Sequence, residues 1–179
     1  MTTGNEIAYT AINSGLIGTP YKELDCQAFV EKVLMMAGMK IPNYRGSNHM
    51  WRELVYDREP IVNPKSPVPG SLVFKVKFDG GETKRGYHDK MGNAVHVGIA
   101  LGDGKVIHST TGGVQYGTTN TFTDWALIKD VDYTDEPAGG ESNGSNEGAG
   151  PTPVKILLQY VQILRDTLDD LEARIHELE

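Results

Sequence analysis

Three residues in this chain could together do nucleophilic chemistry. Cys26 is the one cysteine, and His96 and His108 are two of five histidines. A thiol becomes a strong nucleophile when an imidazole takes its proton, and the imidazole works best when a third polar group fixes its tautomer. Cys26 follows Asp25, a good N-cap, so the sequence predicts a helix over residues 26–37 with the sulfur in its first turn and Gly38 as its stop. The partial positive charge of a helix start favours a thiolate, which leads to an expectation of a lowered thiol pKa. The bland alternative for a lone cysteine is a small apolar residue packed in a core. Its position in the first helical turn speaks for the nucleophile.

The base has to come from another element. His96 lies inside the apolar run Val95-His96-Val97-Gly98-Ile99-Ala100-Leu101, and Asp103-Gly104 then turns the chain back toward His108. The turn decides whether the two imidazoles can meet. A plain two-residue Asp103-Gly104 loop sets Ile99 opposite His108 and sends the histidines to opposite faces. A three-residue loop, Gly102-Asp103-Gly104, with a bulge at Gly104, sets Gly98 opposite His108 and leaves His96 diagonal to it on the same face. A catalytic pair requires the bulged register, and that register is predicted. A zinc site built from Cys26, His96 and His108 would lack a fourth ligand, so no metal and no cofactor are expected.

Three blocks carry a family resemblance, in the family's order. Asp25-Cys26-Gln27-Ala28-Phe29-Val30 resembles the Asp-Cys-Ser-Gly-Phe-Val nucleophile motif of the NlpC-type cell-wall cysteine peptidases, which have a papain-like fold. Pro69-Gly70-Ser71-Leu72-Val73-Phe74 is similar to the family's Pro-Gly-Asp-Leu-Val-Phe strand. His96-Val97-Gly98-Ile99-Ala100-Leu101-Gly102-Asp103-Gly104 resembles its His-Val-Gly-Ile-Tyr-Leu-Gly-Asn-Gly block, with the second histidine, His108, twelve residues on. Gly18-Thr19-Pro20-Tyr21 resembles the Gly-x-Pro-Tyr segment before the cysteine.

The resemblance implies Cys26 as nucleophile, His96 as base and His108 as orienting group. It implies Tyr21 and Asp25 as contacts for the polar ends of a substrate, a peptidoglycan stem peptide cut at an amide between D-glutamate and a diamino acid. An amidase cutting the sugar–peptide bond on the same fold is one alternative, and a non-catalytic part of a phage tail or surface assembly is another. Gln27 and Ala28 replace the family's Ser and Gly, so Gln27 stands as a bulkier candidate contact beside the nucleophile. The family's Trp-Gly-Gly loop is missing. Residues 78–94 form an extra polar segment carrying Tyr87, His88 and Asp89, either a lid over the cleft or an ordinary long hairpin loop.

The elements that must position these groups read as helices first and strands later. Helices are expected over residues 5–17 and 26–37, and strands over 71–78, 94–101 and 105–109. That order predicts an α+β class: a papain-like domain over residues 1–134, with N-terminal helices packed on an antiparallel sheet. Residues 135–153 contain no large apolar side chain and read as a flexible linker. Residues 154–179 follow heptads, with Val154, Val161, Leu168 and Ile175 at a and Leu157, Leu164, Leu171 and Leu178 at d. This pattern predicts a C-terminal coiled-coil helix that self-associates, a parallel dimer being favoured and a trimer left open by Ile156, Leu158 and Ile163.

A formal charge of −7 argues against nucleic acid as a partner. No apolar run reaches the 18 residues that a membrane-spanning helix needs, and residues 1–18 lack the pattern of a signal peptide. The expectation is a protein made in the cytoplasm and acting at the bacterial wall, delivered by a route such as a phage holin or a virion. His49 and His176 read as surface residues.

Overall fold

The protein is described here by a computed structural model. It covers residues 1–78, 87 and 89–134. The chain divides into two compact units, Met1–Pro137 and Ala138–Glu179. His88, the segment 135–153 and the heptads of 154–179 lie outside the described residues.

Helix α1, Gly4–Asn13, starts on a reciprocal cap. Thr3 Oγ1 accepts from the Glu6 N–H at 3.1 Å, and a Glu6 carboxylate oxygen accepts from the Thr3 N–H at 2.8 Å. It ends four residues before the expected stop at residue 17. Ser14 bonds back to the Ala11 carbonyl and Gly15 turns into the left-handed region at φ 68°, which breaks the helical ladder.

Helix α2, Cys26–Met36, lies where the sequence placed it, and Asp25 caps it by accepting from the Ala28 N–H at 2.8 Å. Gly38, at φ 86°, closes its other end. The Gly38 N–H returns to the Met35 carbonyl and the Met39 N–H to the Leu34 carbonyl, both at 3.0 Å. A third helix, α3 over Ser47–Glu53, was not foreseen. At seven residues it is too short to carry an apolar period.

The strands are β1 (Thr2–Thr3), β2 (Val55–Pro60), β3 (Leu72–Lys77), β4 (Asn93–Gly102), β5 (Lys105–Thr110), β6 (Gly113–Thr118), β7 (Asp124–Ile128) and β8 (Val131–Asp132). Six of them form an antiparallel sheet in the order β2-β7-β3-β4-β5-β6, while β1 and β8 pair in parallel beside it. The α+β class and the helices-on-sheet layout stand as expected.

Alternation along the strands makes two cores. Leu72, Phe74, Val97, Ile99, Ile107, Ala126 and Ile128 share one cluster with Ile7, Phe29, Val30, Val33 and Leu34 of the helices. Val73, Ala100, Val106 and Phe122 form a smaller cluster. Each fully buried Leu, Ile or Phe contributes about 2–3 kcal/mol.

Two bulges shape β4. At the β3 side, Lys75 pairs with His96 and Val76 with Ala94, so Val95 is an extra residue next to the histidine. At the β5 side, Ile99 pairs with Ile107, Ala100 with Val106 and Gly102 with Lys105, which makes Leu101 the extra residue. This is the register that sets Gly98 opposite His108. The device differs from the expected three-residue loop. Asp103 (φ 49°) and Gly104 (φ 75°) form a two-residue turn with both positions left-handed, and the bulge sits just before it, where Gly102 has φ 86°.

Candidate active site

β4 and β5 stay paired only near their hairpin, from Gly102–Lys105 to Ile99–Ile107. Beyond that point β5 remains bonded to β6 through Thr110, while β4 remains bonded to β3 through Asn93. The strands therefore fork, and the chain leading into α2 fills the fork. Ser109, fully buried on β5, donates from Oγ to the Leu24 carbonyl at 2.5 Å. Thr19 and Gly18 are bonded to Val114 at 2.9 and 2.8 Å, which pins the preceding loop to β6. The loop before Cys26 is thus held by three backbone or hydroxyl contacts, one to β5, the strand of His108, and two to β6.

Cys26 is 7% exposed. The nearby backbone N–H groups of Val97, the residue after His96, and of Gln27 favour ionisation of its sulfur. Tyr21 directs its hydroxyl at the same sulfur across 4.0 Å. Burial nevertheless dominates and raises the thiol pKa, so the expectation of a thiol lowered by the helix start is corrected. The donors around the sulfur partly offset burial; they do not reverse it. Tyr21 also titrates above its usual value, first because of its own burial and then because of the neighbouring sulfur.

His96 Nε2 and His108 Nδ1 are 2.8 Å apart. If Nε2 of His96 donates to Nδ1 of His108, the free lone pair of His96 is on Nδ1, the atom that can accept a proton from sulfur. Phe122 backs both rings. It stacks on His96 at 5.6 Å with planes 17° apart and tilts against His108 at 5.4 Å. Burial, His108 and Lys75, in that order, push the His96 pKa down to about 4, and burial also lowers that of His108. The pair rests as neutral imidazoles facing a neutral thiol.

Two glycines make room for His108. A Cβ on Gly98 would stand 3.0 Å from His108 Cβ and 3.2 Å from Phe122 Cζ, and one on Gly117 would stand 2.7 Å from His108 Nε2. Sequence reading named Cys26, His96 and His108 as candidates and did not point to Phe122, Ser109, Lys75 or Gly117. An isolated glycine inside an apolar strand, as at Gly98, is the one signal that pointed to a close approach.

The remaining candidates separate. Asp25 is occupied as the cap of α2. Gln27 points away from the sulfur: its amide donates to the Tyr44 carbonyl and to Glu31, and its carbonyl accepts from the Gly46 N–H. Tyr87 lies under the Arg52 guanidinium, 4.1 Å from its ring centroid. Arg52 in turn grips the Asp89 carboxylate with two N–H groups at 2.6 and 2.8 Å and holds its pKa down to about 2. Among the described residues no group of three or more His, Cys, Asp or Glu is placed to share a metal ion. No described helix is long and apolar enough to cross a membrane.

A cysteine at a helix start, set into a forked antiparallel sheet beside a paired imidazole, defines a thiol hydrolase of the papain-like class. The sequence profile of the NlpC/P60 family matches residues 14–128, and the chain belongs to that family of cysteine peptidases. Among solved structures, the chain is similar to the NlpC/p60 domain of the peptidoglycan hydrolase SagA, with 26% identity and a TM-score of 0.48 over 70% of this chain and 97% of that one. It is also similar to two Trichomonas vaginalis proteins. For NlpC1 the identity is 18% and the TM-score 0.42, over 70% of this chain and 42% of that one. For NlpC2 the values are 17% and 0.43, over 70% and 45%. No curated protein matches the sequence.

Proposed function

We propose that this chain hydrolyses amide bonds in peptidoglycan stem peptides, of the D-glutamyl–diamino acid type, with Cys26 as nucleophile, His96 as base and His108 as the group that orients it. His96 Nδ1 takes the thiol proton as sulfur attacks the scissile carbonyl carbon. The oxyanion that forms is met by the N–H of Cys26 at the start of α2. The imidazolium returns its proton to the leaving amine, the C–N bond breaks and an acyl-enzyme remains. Water, deprotonated by His96, then releases the acid and the free thiol. Tyr21, beside the sulfur, and Tyr87 are proposed to contact substrate, as is His88. Asp25 and Gln27 would act through the backbone they hold.

The observation that carries this reading is the 2.8 Å imidazole pair of β4 and β5, together with a Cys26 whose ionisation is favoured by the N–H of Val97, the residue after His96. The test is digestion of purified peptidoglycan by the wild type and by Cys26→Ala, with masses of the released fragments. Stem-peptide fragments ending in D-glutamate support the endopeptidase. Intact stem peptides freed from sugar would assign the amidase instead. No release, together with iodoacetamide labelling of Cys26 no faster than that of free cysteine, would leave a non-catalytic part of a tail or surface assembly.

Action at the bacterial wall belongs to the same proposal, as does delivery by a phage holin or on a virion. Residues 135–153 and 154–179 are assigned to a linker and a self-associating coiled coil on their sequence pattern alone.

A further inference from the structure

We infer that the hollow lined by Asn43, Arg45, His49 and Tyr87 is a subsite for a carboxylate of the substrate, an assignment that rests on the proposed peptidase reading. The hollow has a volume of about 690 Å³. Among the described residues its lining holds no acidic side chain, although the chain as a whole carries a charge of −7. Glu31, on the neighbouring helix, is already taken up by the Gln27 amide and the Tyr44 N–H, each at 2.8 Å.

The lining presents donors. His49 Nδ1 accepts from the Arg45 N–H at 3.1 Å, so its lone pair is spent on the backbone and the neutral ring carries its proton on Nε2. The Arg45 guanidinium and the Asn43 amide bond to no described residue; the ion pair among those residues is Arg52–Asp89. A planar guanidinium beside a ring N–H and an amide suits a carboxylate, which accepts at two oxygens.

The hollow is also tied to the first turn of α2, on the side of Gln27 that faces away from the sulfur. Gln27, next in the chain after Cys26, clamps residues 44 and 46 with both atoms of its amide, and Tyr44 meets His49 edge-on at 5.5 Å. The far wall is fixed by Arg52, which stacks on Tyr87 and holds Asp89 and the Gly92 carbonyl. A γ-linked D-glutamyl residue carries a free α-carboxylate on the Cα, two methylene groups from its scissile γ-carbonyl, and that group is the one assigned to this subsite.

Two peptide substrates test it, identical except that the γ-linked residue carries an α-carboxylate in one and an α-carboxamide in the other. The wild type is expected to cleave the carboxylate about tenfold better in kcat/KM, chiefly through KM. Arg45→Gln, and His49→Asp, which keeps an acceptor for the Arg45 N–H while removing the ring donor, should each erase that preference by lowering the carboxylate rate more than the carboxamide rate. A preference that survives both substitutions overturns the subsite. If the wild type cleaves neither peptide, the peptidase reading fails. The hollow is then judged by NMR titration of Cys26→Ala with L-alanyl-D-glutamate, where shifts at Arg45 and His49 support it and their absence sinks it.

Discussion

At the scale of single residues, the site is a neutral pair, and its pH behaviour follows from that. A thiol pushed up and an imidazole pushed down do not exchange a proton at rest, so in the proposed mechanism attack depends on proton transfer as substrate arrives. His96 is neutral, and able to accept, at every pH above about 4. Alkylation of Cys26 by iodoacetamide should therefore persist down to about pH 4–5. In His96→Ala it should appear only as the thiol itself ionises in the alkaline range. Phe122 keeps water from both rings, so Phe122→Ala should raise the acid limb by about one unit toward the ordinary histidine value near 6.5. The same substitution should lower stability by about 3 kcal/mol through the cavity it leaves, and a thermal melt beside the labelling profile separates the two effects.

At the scale of elements, the fork between β4 and β5 and the two bulges are what aim the groups. Val95 interrupts the β3–β4 ladder beside His96, and α3 holds that interruption in place. Ser47 Oγ donates to the Ala94 carbonyl at 2.6 Å, and the Asn48 side chain accepts from the Ala94 N–H at 2.7 Å. Gly117 leaves space for the far nitrogen of His108. In Gly117→Ala the new methyl has to displace that ring, so cleavage should fall at least tenfold while the melting temperature moves by only a few degrees. An unchanged rate would mean that His108 does not orient the base.

Helix α2, its cap and the β4–β5 register were legible in the sequence because they rest on local signals, although the turn itself has two residues and not the expected three. Phe122, Ser109 and the tie from Gln27 to residues 44–46 were not, because those contacts join stretches far apart in the chain. The thiol pKa was misjudged for a related reason: the helix start can be read from sequence, whereas the burial that outweighs it is a tertiary property.

At the scale of the molecule, protonation and stability are linked. His96 has a folded pKa of about 4 against an unfolded value near 6.5, so the unfolded chain binds more protons between those limits. Its contribution is fully present above pH 6.5 and is lost as pH falls through 4. The loss is on the order of 2 kcal/mol after allowance for partial exposure. Asp89, held at about 2 by Arg52, adds a second loss of the same sign at lower pH. Urea midpoints measured from pH 8 to pH 3 should show the first step, and His96→Asn should remove it. Self-association belongs to this scale as well. Truncation after Asp135 should give a monomer by light scattering, whereas the full chain should be larger if the proposed coiled coil of 154–179 forms.

The parallel pairing of Thr2–Thr3 with Val131–Asp132 brings the two ends of the peptidase unit side by side. A unit closed in this way can be spliced into a loop of another protein as a cassette, since entry and exit points already adjoin. It can also be re-sewn, with a short bridge joining residue 134 to residue 1 and new ends opened at Val62, which is 86% exposed. Neither operation touches the fork in which the sulfur lies.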